Sequence, residues 1–161
     1  MNDELLQEAL DALELKNIGL LNSNSELADR FFPLYDPSSY LLQPQFKHRV
    51  TRSEQVTFLD EDNKETHILR FHVELGARLV SQEAEEPDSV IPKAVIEATF
   101  VAEYELQQAK LSEQAISEFA LKHVSFQVWP YWREYLTSLC NRMNLPKIIL
   151  PSMQRAQNCS E

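Results

Sequence analysis

Trp129, Trp132, Leu136, Leu139 and Met143 recur at alternating three- and four-residue steps near the end of this 161-residue chain. Two tryptophans on one helical stripe demand a large apolar surface to cover them, so this stretch constrains the fold most strongly. The pattern predicts a helix over 126–143, with Arg133, Glu134, Thr137, Ser138, Asn141 and Arg142 on the opposite face. Pro130 is expected in its first turns, where a missing N–H costs least, and Ser125 is the candidate N-cap. Asn144 and Pro146 end the helix, and 148–150 follows as an extended run between prolines. The stripe packs either on a sheet or on a sister helix.

The sheet is written upstream. Segments 45–59, 66–80 and 90–106 alternate apolar and polar residues, the signature of strands with one buried face. On the first, Phe46, His48, Val50, Val56 and Phe58 share a face; on the last, Ala94, Ile96, Ala98, Phe100, Ala102 and Tyr104 do. Residues 60–64 read as a hairpin turn and 82–89 as an acidic one, and Pro92 marks an edge or a bulge. Before them, 13–27 alternates as well but changes phase near Lys16-Asn17, which predicts a bulge. Sheets of this kind are antiparallel and covered on one side. A short helix over about 2–12 precedes the strands, and a second helix, capped by Ser112, runs to about His123.

Between strands one and two lies 28–44, ADRFFPLYDPSSYLLQP. Three prolines prevent helix and ladder, yet Phe31, Phe32, Leu34, Tyr35, Tyr40, Leu41 and Leu42 are bulky and apolar. Leaving one aromatic of ~150–250 Å2 in water forgoes several kcal/mol at ~25 cal/mol per Å2. Such a loop either packs down or lines a surface that receives apolar ligands.

Chemistry is sparse. Gly19 and Gly76 are the only glycines, and no phosphate-binding glycine loop occurs. His48, His67, His72 and His123 are scattered, and His67 and His72 point to opposite strand faces, so no metal site is expected. Glu97, Glu103 and Glu105 share a strand face that lacks the closed cleft acid–base work requires. The chain is read as a non-enzyme without cofactor. A formal net charge of −10 argues against nucleic-acid partners and against anionic membranes. The start, MNDELLQ, lacks a signal-peptide pattern and no run suits membrane insertion, so a cytoplasmic protein is expected. Cys140 and Cys159 suit reduced thiols.

Trp129-Pro130-Tyr131-Trp132-Arg133-Glu134, followed by Leu145-Pro146-Lys147-Ile148-Ile149-Leu150-Pro151, resembles a motif of the SecB export chaperone family. The order of strands, loop and helices agrees over about 13–150, most strongly from Val90 onward. The resemblance implies an α+β fold: a four-stranded antiparallel sheet with two C-terminal helices on one face. A short helix at 1–12 is an addition, 13–150 form a single domain, and 151–161 are a mobile polar tail. It further implies an ATP-independent holdase for unfolded preproteins or a specific aggregation-prone client. The homo-oligomer would be a dimer of dimers, with Trp129, Trp132, Leu136, Leu139 and Met143 at its interface.

The client groove would use Phe31, Phe32, Tyr35, Tyr40, Leu41 and Leu42 with the flank of the Ser112 helix. Glu26, Val101 and Glu103 match the family's docking contacts for the SecA motor, although Asn22 stands where the family usually has an acid. The tail lacks the family's glycine- and charge-rich ending. Protein export is the leading reading; the added N-terminal helix and these departures lean toward the alternative, a dedicated chaperone of one partner such as an antitoxin. An acidic scaffold that docks a folded protein is the third reading.

Overall fold

The computed structural model describes residues 3–81, 91–107 and 110–153. Helix α1 spans Asp3–Ala12 and leads into strand β1, Leu13–Leu27. After the aromatic loop come β2 (Gln43–Leu59), β3 (Glu65–Val80) and β4 (Ala94–Leu106). All pairings are antiparallel, in the order β1-β4-β3-β2, so β1 and β2 are the edges. The expected acidic turn at 82–89 and the tail beyond 153, with Cys159, fall outside the described residues. Pro92 precedes β4 instead of interrupting it, and Lys93 N–H donates to the Leu79 carbonyl just before the strand begins.

Two register shifts bend β1, between Leu15 and Asn17 and between Leu20 and Asn22. The first is the bulge that the change of phase at Lys16-Asn17 predicts. A shift on β2, between Val50 and Arg52, was not visible in the alternation. An extra residue moves everything after it to the other face. Phe46, His48 and Val50 therefore face inward, while Val56 and Phe58 share the outer face with Arg52 and Glu54. The hairpin at 60–64 is closed by Asp60 Oδ1, which accepts from the N–H groups of Asp62 and Lys64, with Asn63 left-handed at φ 57°.

The two expected C-terminal helices are one continuous helical run. Ser112 caps α2 (Glu113–Phe119), its hydroxyl accepting from Ala115 N–H at 3.2 Å. The backbone then passes through a π-helical turn, Ala120–Val124, directly into α3, Ser125–Arg142. Ser125 is helical rather than a cap, with φ −60° and ψ −38°. Pro130 thus lies deep in the run and not near its start. The helix survives because Pro130 is on the exposed side, where the Phe126 carbonyl it deprives of a donor can be solvated.

The π turn has a packing reason. Ala115, Phe119, Val124, Val128, Trp132, Leu136 and Cys140 are all buried. Their spacing is four residues throughout except for one step of five, from Phe119 to Val124, where the π turn inserts its extra residue. One stripe therefore stays on the sheet for the whole run. Beneath it lie Phe71, Val73 and Leu75 of β3 and Ala98, Phe100, Ala102 and Tyr104 of β4. Phe71, Tyr104 and Phe119 meet edge-on or tilted at 4.9–5.7 Å between centroids. The Tyr104 hydroxyl donates to Gln127 Oε1, and burial pushes its pKa up.

Asn144 closes α3 in the left-handed region, at φ 57°, while Leu145 N–H reaches the Cys140 carbonyl at 2.9 Å. Leu145, Ile148 and Leu150 then fold back onto the core, and Trp129 Nε1 donates to the Pro151 carbonyl. At the other end, α1 packs on α2, burying Ala9 and Ala12 completely or nearly so. It belongs to the core.

Leu136 is fully covered at the centre of the helix–sheet contact. Leu136→Ala should lower stability by about 2–5 kcal/mol in urea unfolding, and Arg133→Ala by no more than about 0.5 kcal/mol. Equal small losses would show that this contact does not hold the fold.

Candidate functional site

The aromatic loop divides into an anchored part and an offered part. Phe31 is buried, with the Lys93 ammonium 5.9 Å from its ring centroid. Ser39 is buried too, and its hydroxyl donates to the Pro33 carbonyl at 2.9 Å. Asp36 caps the short 3-10 turn Pro37–Leu41, accepting from Ser38 N–H at 2.8 Å and from its hydroxyl. Those hydrogen bonds hold the Asp36 carboxyl below its usual pKa. So fastened, the loop leaves Phe32 64%, Leu34 67%, Tyr35 84%, Tyr40 83% and Leu41 65% exposed. Leu42 packs against the core.

Of the residues expected to line a groove, Phe31, Phe32 and Tyr35 come together. They form a shallow apolar depression of about 200 Å3 with Leu34, Leu27 and Met143 at the end of α3. Tyr40 and Leu41 are exposed on the 3-10 turn and do not line it, nor does Leu42, which packs against the core. Met143 and Leu27 were missed as groove residues. Met143 continues the helical stripe in sequence, and only the fold-back of the loop turns it into a wall of the groove.

The stripe assigned to an interface between copies is covered inside the chain. Trp132 and Leu136 are buried to 1% and 0% exposure and Trp129 to 7%, so they have no surface left for a partner. Leu139 and Met143 are only partly buried. The other side of α3 is open, with Pro130, Arg133, Glu134, Thr137, Ser138 and Asn141 along a shallow groove.

The outer face of the sheet carries an ion-pair network. Glu54 Oε1 accepts from His72 Nε2 at 3.0 Å and Arg70 at 2.9 Å, and Arg52 lies 3.6 Å away. Arg70 Nε faces Glu103 at 3.4 Å, which also takes Asn17 Nδ2. Glu74 binds Lys47 and Arg49. His72, though polar, is 4% exposed. The hydrogen bond from His72 and the neighbouring Arg52 and Arg70 hold the Glu54 carboxyl below its ordinary value.

Of the expected docking residues, Glu103 sits inside this network. Val101 is only 4% exposed, paired between His72 and Gly19, and cannot contact a partner without its neighbours moving. Glu26 pairs with Val95, eight residues along β4 from Glu103, roughly 26 Å at strand rise. The trio does not form one patch.

On the inner side, His48 Nε2 lies 2.6 Å from Ser125 Oγ, and its ring meets Trp129 edge-on at 6.0 Å. Burial lowers the pKa of His48. Among the described residues no group of three His, Cys, Asp or Glu could hold a metal, and no helix is long and apolar enough to cross a membrane.

A four-stranded antiparallel sheet covered by a long C-terminal helix, with a short helix at the N-terminus, matches the SecB-like fold. The chain superposes on the SecB-like chaperone of Mycobacterium tuberculosis, solved in complex with a ChAD peptide from the HigA1 antitoxin. The TM-score is 0.62, with 17% sequence identity over 96% of this chain and 100% of that one. The chain therefore has the SecB-like fold. Neither a protein-family model nor a curated protein matches it.

The pH dependence of the outer-face network follows from Glu54. A carboxyl whose folded pKa is depressed contributes stability above its unfolded value, here 4.5, and loses it as pH falls through the folded value. Urea midpoints measured from pH 6 down to about pH 3 should fall less steeply for Glu54→Gln than for the parent. Parallel slopes would show that this carboxyl is not held by its partners.

Proposed function

We propose that this protein is a chaperone that captures extended, unfolded segments of a dedicated client. One observation carries the reading. A loop pinned by Phe31, Ser39 and Asp36 nevertheless leaves Phe32, Leu34 and Tyr35 in water beside Met143. Apolar surface held exposed by a rigid anchor is surface kept for a ligand. A shallow open depression suits an extended chain better than a compact small molecule, which favours closed cavities. Capture needs no chemical step and no cofactor. Many weak apolar contacts, supplemented by backbone hydrogen bonds at a strand edge, supply the affinity.

The dedicated form is favoured over general export on two grounds. The similar structure carries a peptide of an antitoxin. The features expected for SecA docking are also weak in this chain: Asn22 replaces an acid, Val101 is covered, and Glu103 is engaged by Arg70 and Asn17. Assembly into a homo-oligomer remains part of the proposal, with the open side of α3 rather than the Trp132 stripe available for it.

Titration of a permanently unfolded, reduced and carboxymethylated protein, with its folded form as control, tests capture. Binding of the unfolded form alone is expected, weakened about ten-fold or more by Phe32→Ser with Tyr35→Ser while circular dichroism stays unchanged. Unchanged affinity would remove the groove assignment, and no binding of the unfolded chain would remove general capture. The protein encoded beside this one then becomes the decisive ligand. A dedicated chaperone should bind it about a hundred-fold more tightly than the generic chain.

A further inference from the structure

We propose that the free edge of β2 takes an extended client segment in which acidic side chains alternate with apolar ones. The inference rests on the chaperone reading above and adds the chemical class of its client. β2 ends the sheet, so one side of its backbone has no ladder partner among the described residues. A strand added there would place its side chains alternately over the two faces of the sheet.

Those faces differ at this edge. Over Gln43–Val50, the inner face presents Phe46, His48 and Val50, and Phe46 is 42% exposed. The exposed Tyr40 and Leu41 immediately precede it, so apolar surface runs from the loop onto the strand. The outer face presents Lys47 and Arg49, and Arg52 continues the row after the bulge. Their side chains are 53%, 66% and 63% exposed. On the outer face of β2 the cations Lys47, Arg49 and Arg52 outnumber the carboxylate Glu54, while Glu74 of β3 and Glu97, Glu103 and Glu105 of β4 lie further from this edge. Glu54 and Glu74 are each already shared between cations, and Arg78 Nε donates to the neutral Gln45. This local excess of positive charge sits in a chain of formal net charge −10.

The charges also decide between occupants. A second copy pairing through β2 would set Lys47, Arg49 and Arg52 against the same residues of its partner, and like charges across a ladder destabilise it. Basic residues on an edge strand commonly deter such self-association. They leave the edge attractive to a strand with carboxylates at every second position, whose remaining side chains lie over Phe46, His48 and Val50.

Three labelled peptides of about ten residues test this, each with valine at alternate positions and Glu, Gln or Lys between. Fluorescence anisotropy with the full chain at low ionic strength should rank Glu over Gln over Lys, with about ten-fold between the extremes. The gap should narrow at about 0.5 M salt. Arg49→Glu with Arg52→Glu should abolish or invert the ranking, and hydrogen exchange should show the Glu peptide protecting amides on β2 but not on β1. Equal affinities, or protection on β1, would overturn the inference while leaving client capture standing. Failure of all three peptides to bind would overturn the inference, and the titrations of unfolded chain and dedicated partner decide client capture separately.

Discussion

The burial of one sheet face under a single uninterrupted helical run is the constraint on which the rest of the molecule depends. The run from Glu113 to Arg142 crosses β3 and β4 with one stripe, from Ala115 to Cys140. A five-residue step would carry an ideal α-helix well off its stripe. The π turn at Ala120–Val124 takes up the extra residue between Phe119 and Val124 and so keeps Val124, Val128, Trp132 and Leu136 on the sheet. A π turn is usually tolerated where it has a use; here that use is registration.

Covering one face leaves the other exposed, along with both edges. The outer face is stabilised less by packing than by reciprocal charge, with Glu54 and Glu74 each serving several cations. Exposed pairs of this kind contribute little individually, and their value is mainly in what they exclude. The loop at the rim follows the same division. Phe31 and Ser39 fix its course, and that fixation is what holds Phe32, Leu34 and Tyr35 in solvent.

Likeness of fold at 17% identity says little about ligands, and the site must be argued from this chain. What recurs is the architecture, a four-stranded antiparallel sheet under a long C-terminal helix. In this chain α1 is built into the core through Ala9 and Ala12, and β2 carries a basic row.

Alternation in three strands, the phase change at Lys16-Asn17, the caps at Ser112 and Asn144 and the aromatic character of 28–44 were all legible, because each is a local periodicity or a local backbone preference. The sequence by itself thereby determined the four-stranded, one-sided sheet, its helical cover and the existence of an apolar rim. Tertiary structure alone decided the rest. The two C-terminal helices merged because a continuous sheet beneath them rewards an unbroken stripe, and a single five-residue step was the only trace of it. The bulge after Val50 reversed Val56 and Phe58 because strand pairing, not alternation, sets register. Which loop aromatics stay exposed, that Met143 walls the groove, and that the Trp132 stripe is closed to partners all depend on what lies across the chain. No window of neighbouring residues contains that information.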